Sequence, residues 1–240
     1  MIKIKYLLKN FITFSGKVFF RYKFGSHKDL NFIHIGKCGG STIIKNLTNN
    51  NFLKKKFRRI FVTHVDKPIP KKKTKYLICI RNPIDRVISA FNFRYKLLVE
   101  DKYQIGLINN EYEVLKHYKN INNLSEKLYI GNNLNIDVVR DFRSIHHLKE
   151  DINFYINDLL SQIKPEQIYG IICMNTLNYD IKNYLGVKNN LHLRKGIKRD
   201  KLSKKARLNL KKFLKEDYHC IDKLNKIFNL KKKQYLYLKK

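Results

Sequence analysis

The chain has no tryptophan; its aromatic residues are all Phe and Tyr. Cysteine is sparse, with four in all: Cys38, Cys79, Cys173 and Cys220. They form no Cys-x-x-Cys pair, and none stands at metal-ligand spacing from a partner. No metal site is therefore expected, and a reducing compartment is. Cys79 and Cys173 lie inside apolar runs and read as buried thiols. Long apolar runs are missing from the basic N-terminal stretch, residues 1–23. There Lys9, Asn10 and Lys17 break each run well short of the roughly 18 residues a membrane span needs. That stretch also lacks the clean apolar region and small-residue cleavage site of a signal peptide. It reads as an interfacial basic segment touching anionic lipid, or as a docking helix for the domain. The expected location is the cytoplasm, with peripheral membrane contact through this segment. Internal repeats are absent.

Acidic residues are scarce as well. Nineteen Asp and Glu face 51 Lys and Arg, a formal net charge of +32. Such a field favours polyanions: nucleic acid, anionic lipid, acidic glycan or a phosphorylated cofactor. The excess is spread through a chain rich in Lys, Asn and Ile, and Lys lacks the planar fork that makes Arg contacts specific. A nucleic-acid binder needs a concentrated basic face with stacking aromatics, or a known module. Neither is present, so no specific nucleic acid is expected as a partner. The 240 residues suffice for one substantial core.

The chain is organised around residues 31–47, NFIHIGKCGGSTIIKNL. Asn31 to Ile35 read as a short buried strand, and Gly36 to Gly40 as a tight turn. Ser41 and Thr42 open an apolar segment, Ile43, Ile44 and Leu47, with helical spacing. A strand, a glycine turn and a helix start together make an anion cradle. Glycine lets the backbone approach an oxyanion, and a helix N-terminus presents unpaired N–H groups. Lys37 adds a full charge. The lysine precedes the glycine pair, so the Walker A order fails, as does the dinucleotide Gly-x-Gly-x-x-Gly spacing.

Further strands are expected at 59–65, ending near His64, at 76–81 and at 168–174. Asn82 and Pro83 read as N-cap and first residue of a helix running to about Val99. Short helices are expected at 111–119 and 123–130, followed by an Asn-rich polar loop. Further helices are expected at 148–163 and at 176–186, the latter stopped by Gly186. One final helix begins near Leu202, and residues 231–240 add a strand or fray. Strands alternating with helices predict a parallel α/β sheet, with the ligand beyond the carboxyl ends of the strands. The cradle, His64 and Arg81 all fall there.

Two stretches carry a family resemblance. IGKCGGST, 35–42, resembles the 5′-phosphosulfate loop of sulfotransferases in the variant Ile-Pro-Lys-Thr-Gly-Gly-Thr/Ser. Gly36 replaces its Pro, and Cys38 replaces its Thr, which removes one hydroxyl donor. IRNPIDRVISAF, 80–91, resembles the 3′-phosphate motif, with its Arg, the following Asn-Pro and a Ser eight positions on. The chain thus resembles the sulfotransferases dependent on 3′-phosphoadenosine 5′-phosphosulfate, closest to the carbohydrate type (Golgi-type or bacterial). The likeness is specific over 31–91 and looser over 165–228.

The resemblance implies a three-layer, P-loop-like α/β fold with a central parallel sheet flanked by helices. It is expected as a single domain over 31–240 behind a basic extension, 1–30. It implies that Lys37 binds the 5′-phosphate and stabilises the bridging oxygen, with Gly39, Gly40, Ser41 and Thr42 holding the same phosphate. Arg81 and Ser89 would hold the 3′-phosphate, joined by Arg194 and Lys195 of a late Arg-Lys-Gly. His64 would be the base, with Asp66 as the carboxylate alternative. The donor would be a co-substrate, no metal would be needed, and the acceptor would be a hydroxyl, expected on a saccharide. His146 and His147, read as helical neighbours pointing about 100° apart, are acceptor-site candidates. The competing readings are a P-loop-like nucleotide kinase and a non-enzymatic protein that binds polyanions or nucleic acid.

Overall fold

The computed structural model describes residues 20–21, 28–48, 50–187 and 201–240. Among the described residues, five strands make the main sheet: β1 (Phe20–Arg21), β2 (Asp29–Ile33), β3 (Arg59–Thr63), β4 (Thr74–Ile80) and, after the small hairpin β5–β6 (Tyr129–Ile130 and Asn133–Leu134), β7 (Ile168–Cys173). Their order is β1-β3-β2-β4-β7. β3, β2, β4 and β7 run parallel, and β1 pairs antiparallel with β3 at the edge. In β4 every residue but Lys75 is buried, as a parallel strand covered on both faces requires. β3 alternates, with Ile60 and Val62 inward.

The helices are α1 (Gly40–Leu47), α2 (Asn51–Lys54), α3 (Pro83–Tyr95), α4 (Glu111–Tyr118), α5 (Ile121–Glu126), α6 (Ile136–Ser144), α7 (Ile152–Gln162), α8 (Leu177–Leu185), α9 (Lys204–Phe213), α10 (Lys215–Phe228) and α11 (Lys232–Lys239). The chain leaves β2 towards β3 but places β4 on the other side of β2. Right-handed crossovers then put α1 on one face of the sheet and α3 to α7 on the other. α1 packs beside α8 on the first face, while α7 packs on α10, and α9 on α3 and α5. The reversal at β2 and β4 opens a crevice beyond their carboxyl ends.

Several boundaries differ from the sequence reading, each for a local reason. The first strand starts at Asp29, whose carboxylate takes two bonds each from Arg58 and Arg59. The first of the two short helices runs 111–118 as read, but the second starts at Ile121 because the Asn120 side chain caps it by accepting from Asn123 N at 2.9 Å. The Asn-rich stretch is no open loop. It forms the hairpin, and Asn135 then caps α6, which buries Val138 and Phe142. Asp151 caps α7 through Phe154 N at 2.8 Å, so that helix starts later than 148. The expected final helix is two, broken at Leu214. The tail is α11, and Asn82 Nδ2 donates to its Tyr237 and Leu238 carbonyls at 3.2 and 3.1 Å. All four cysteines are buried and free.

Candidate active site

The cradle follows β2 directly. Lys37 and Gly39 take positive φ angles of 68° and 84°, and α1 starts at Gly40. A left-handed lysine costs about 1–2 kcal/mol, strain of the kind that clusters at ligand clamps. Gly39 needs its left-handed angle; at Gly40 the reason is space. A Cβ on Gly40 would lie 1.8 Å from the His34 ring. Among the described residues, no side chain caps α1 and its first turn holds no acid, so its positive end is uncompensated. Ser41 is exposed beside it and Thr42 is buried. The Cys38 thiol is buried, and burial pushes it up to about 11, so it stays neutral packing rather than a nucleophile.

Arg81 follows β4. Its Nη1 donates to the Lys37 carbonyl at 3.2 Å, and its buried Nε has no hydrogen-bond partner among the described residues. A charged donor left unpaired is costly, and an anion placed there would relieve it. Asn82 caps α3 by accepting from Asp85 N at 3.0 Å, with Pro83 as first residue. Ser89 sits half-buried two turns along the same helix. Arg86, only 2% exposed, donates from Nε to the Gly36 carbonyl at 3.0 Å and from Nη2 to the carbonyls of His147, at 2.7 Å, and Glu150. It fastens the cradle to the turn between α6 and α7.

His64 follows β3. Its Nδ1 lies 2.9 Å from the His34 carbonyl. A carbonyl can only accept, so Nδ1 carries the proton and Nε2 keeps a free lone pair. The two rings stack at 3.9 Å and 15°. Burial holds His64 below the usual imidazole value, opposed by its bond to His34 and by the charges of Glu150 and Asp66. His34 lies well below that value, through burial first and then the charges of His64 and Lys37. Asp66 is exposed and reaches His64 only through its field.

His146 and His147 are not helical neighbours. They occupy the turn after α6, where His147 has a φ of 69°, and their rings stack at 4.0 Å instead of diverging. The His147 ring lies 6.1 Å from His64 and 6.2 Å from Phe93. Burial brings His146 down to about 4 and His147 well below its usual value. Lys37 Nζ sits 3.6 Å from the Phe93 ring centroid. Lys37, His64, His34, Phe93 and the histidine pair therefore share one chamber. Sequence reasoning missed His34, Phe93 and Arg86 as parts of it. His34 stood in view at the end of the first strand, and Phe93 one turn past Ser89. Arg194 and Lys195 lie outside the described residues. A cavity of about 440 Å³ opens beyond β7, lined by Met174, Asn175, Thr176, Leu177, Tyr179 and Lys231 among others. Met174 Sδ would lie 2.7 Å from a Cβ on Gly39, so this cavity adjoins the cradle.

The model of the family described as Sulfotransferase domain matches residues 8–151, more than half of the 240 residues. The chain belongs to the sulfotransferase domain family. The sulfotransferase is accordingly a transferase, and its reaction is sulfuryl transfer; the family generally takes its sulfate from 3′-phosphoadenosine 5′-phosphosulfate. The kinase and polyanion-binding readings are not favoured. No curated protein matches the sulfotransferase chain. The match spans the cradle, His64, Arg81, Ser89 and the His146–His147 turn; β7, its cavity and α8 to α11 lie beyond it. Among the described residues, no group of three or more His, Cys, Asp or Glu is placed to hold a metal, and no helix is long and apolar enough to cross a membrane.

Proposed function

We propose that this sulfotransferase moves the sulfuryl group of 3′-phosphoadenosine 5′-phosphosulfate onto a hydroxyl of a saccharide, with His64 as base and Lys37 as the cation at the leaving group. The observation that carries the reading is the bond from His64 Nδ1 to the His34 carbonyl, which leaves Nε2 free in the chamber that holds Lys37. The residues present fit the donor. The start of α1 with Gly39 to Thr42 suits a 5′-phosphate, and the unpaired Arg81 Nε, with Ser89 on the following helix, suits a 3′-phosphate. The cavity beside Gly39 has room for a base.

The donor supplies the sulfuryl group; the chain supplies charge, orientation and a proton acceptor. As the acceptor oxygen bonds to sulfur, its proton passes to His64 Nε2. The bond from sulfur to the bridging oxygen breaks, and the electron pair stays with the 5′-phosphate, where Lys37 and the first amides of α1 meet the new charge. A base of this kind contributes about 10²- to 10⁴-fold. The excess of 51 basic over 19 acidic residues suits an acidic glycan as acceptor.

A thermal-shift titration tests the donor site. The probes are 3′-phosphoadenosine 5′-phosphate, adenosine monophosphate and ATP, on wild type and Arg81→Ala. At 100 times its Kd the bisphosphate should stabilise the fold by about 2.7 kcal/mol, and Arg81→Ala should lose that preference. Equal shifts with every nucleotide, or none, would overturn the proposal.

A further inference from the structure

We propose that His34 is the positioning residue of the base: its carbonyl sets the tautomer of His64, and its ring is the wall against which the His64 ring lies. The inference rests on the reading of His64 as base and adds a partner that the two phosphate motifs do not contain. Three observations carry it. The His34 carbonyl lies 2.9 Å from His64 Nδ1 and accepts its proton. The rings lie face to face at 3.9 Å, and Phe32 lies nearly parallel behind His34, at 5.9 Å and 9°. The space that the His34 ring fills is left open by Gly40, where any Cβ would come within 1.8 Å of it.

The arrangement is costly unless it does something. His34 Nδ1 is buried with no hydrogen-bond partner among the described residues, and a buried unpaired nitrogen destabilises a fold. What the ring provides is a flat, dry, uncharged surface on one side of His64. The titratable groups around His64 on its other sides are His146, His147 and Glu150 on the turn after α6, and Asp66 two residues on; Lys37, in the cradle, acts on His34, His146 and His147. Glu150 and Asp66 draw a proton towards His64, and burial resists it. The His34 ring is part of that burial. It stays neutral itself, so it excludes water without adding a charge.

The test follows the His64 ring resonances by NMR across pH in wild type and His34→Ala, alongside kcat and the pH profile of kcat/KM. With the ring removed, water reaches His64. Its titration should move up towards the usual imidazole value of about 6.5. The acid limb of kcat/KM should move with it, while kcat falls roughly 10- to 100-fold for a base that keeps its bond to the main-chain carbonyl of residue 34 but loses the ring that aligns it. His34→Gln repeats both readings with less lost volume, should the alanine variant not fold. An unmoved His64 titration in either folded variant overturns the proposal, even if activity drops, because a merely structural role lowers activity without moving the pKa. The NMR reading needs no turnover. His64→Ala separates the two ideas: if it keeps wild-type kcat the base reading fails, while the titration still reports whether His34 governs His64.

Discussion

Replacing Asp217 by Asn should stabilise the protein at neutral and alkaline pH and leave it unchanged in acid. Asp217 is 2% exposed on α10, where it meets the start of α7. Its Oδ1 accepts from Asn153 N at 2.9 Å, and its Oδ2 is buried with no partner among the described residues. Asp151, the cap of the same helix, is bonded to Arg143 at 2.9 Å. Two carboxyls thus share one helix start. Burial, then the Asp151 charge, push Asp217 up to about 6 from an ordinary 3.8, against a weaker pull from Arg86 and the Asn153 and Ile152 amides. A carboxyl raised in the folded state favours the protonated fold. It costs nothing below pH 4, and its cost grows as pH rises through the interval and levels off above 6. At 1.36 kcal/mol per tenfold change in acidity, the full cost is about 3 kcal/mol. Asparagine has no charge to bury and keeps an oxygen for Asn153 N. Urea unfolding of Asp217→Asn should show a gain of about 2–3 kcal/mol at pH 8 and none at pH 4, or roughly 5–10 °C in Tm at the upper pH. An equal change at every pH would refute the reasoning. So would a loss at pH 8, since attraction to Arg86 would then outweigh burial.

Two further substitutions probe the supports of the chamber. Arg94 and Glu111 form a buried, two-bonded pair at 2.7 and 2.6 Å, and Glu111 also accepts from His146 N at 2.8 Å. Glu111→Gln should cost about 3–5 kcal/mol in urea unfolding, because it strands a buried guanidinium; a cost under 1 kcal/mol would show that the pair is dispensable. Asn82→Ala removes the cap of α3 and both bonds to α11, for about 1–2 kcal/mol. Amide exchange should quicken through 232–239, and unchanged exchange there would mean that α11 is held by its other contacts, such as Gln234 to Asp180 and Tyr237 to Asp85.

What was legible in the sequence was whatever a few adjacent residues decide. β4 and β7 are short apolar runs, Asn82 and Pro83 cap a helix by local geometry, and Gly186 ends α8 with a φ of 66°. The two stretches that carry the family resemblance, 35–42 and 80–91, are of the same kind, each one strand end and the helix start after it. The rest depended on partners far along the chain. The Asn-rich stretch after residue 130 looked like loop, and the helix before it looked to start at 123, because asparagine favours turns; yet Asn120 and Asn135 spend that preference as helix caps. The tail looked like a strand or a frayed end because the carbonyls that Asn82 holds lie 155 and 156 residues from it. His146 and His147 were misplaced for a related reason. A helix would have splayed them, but Arg86 and Glu111 grip the backbone of their turn and set the rings face to face.

The chamber itself follows from strand register more than from any motif. Ile33 pairs with Thr63 on one side and with Ile78 on the other. One residue past that row, His34 and His64 stand next to each other at the ends of two parallel strands, so their stacking is a consequence of pairing. β4 continues two residues past Ile78 before it releases Arg81, whose guanidinium therefore turns back onto the Lys37 carbonyl. In a sheet, side chains alternate between faces, so a slip of one residue between β2 and β3 would send His64 to the opposite face and separate it from His34. What fixes the register is the apolar pattern of the strands, Leu30, Phe32 and Ile33 against Ile60 and Val62, all buried. The placement of His64 beside His34 is thereby tied to the stability of the core: the hydrophobic burial that holds the sheet together also aligns the two imidazoles.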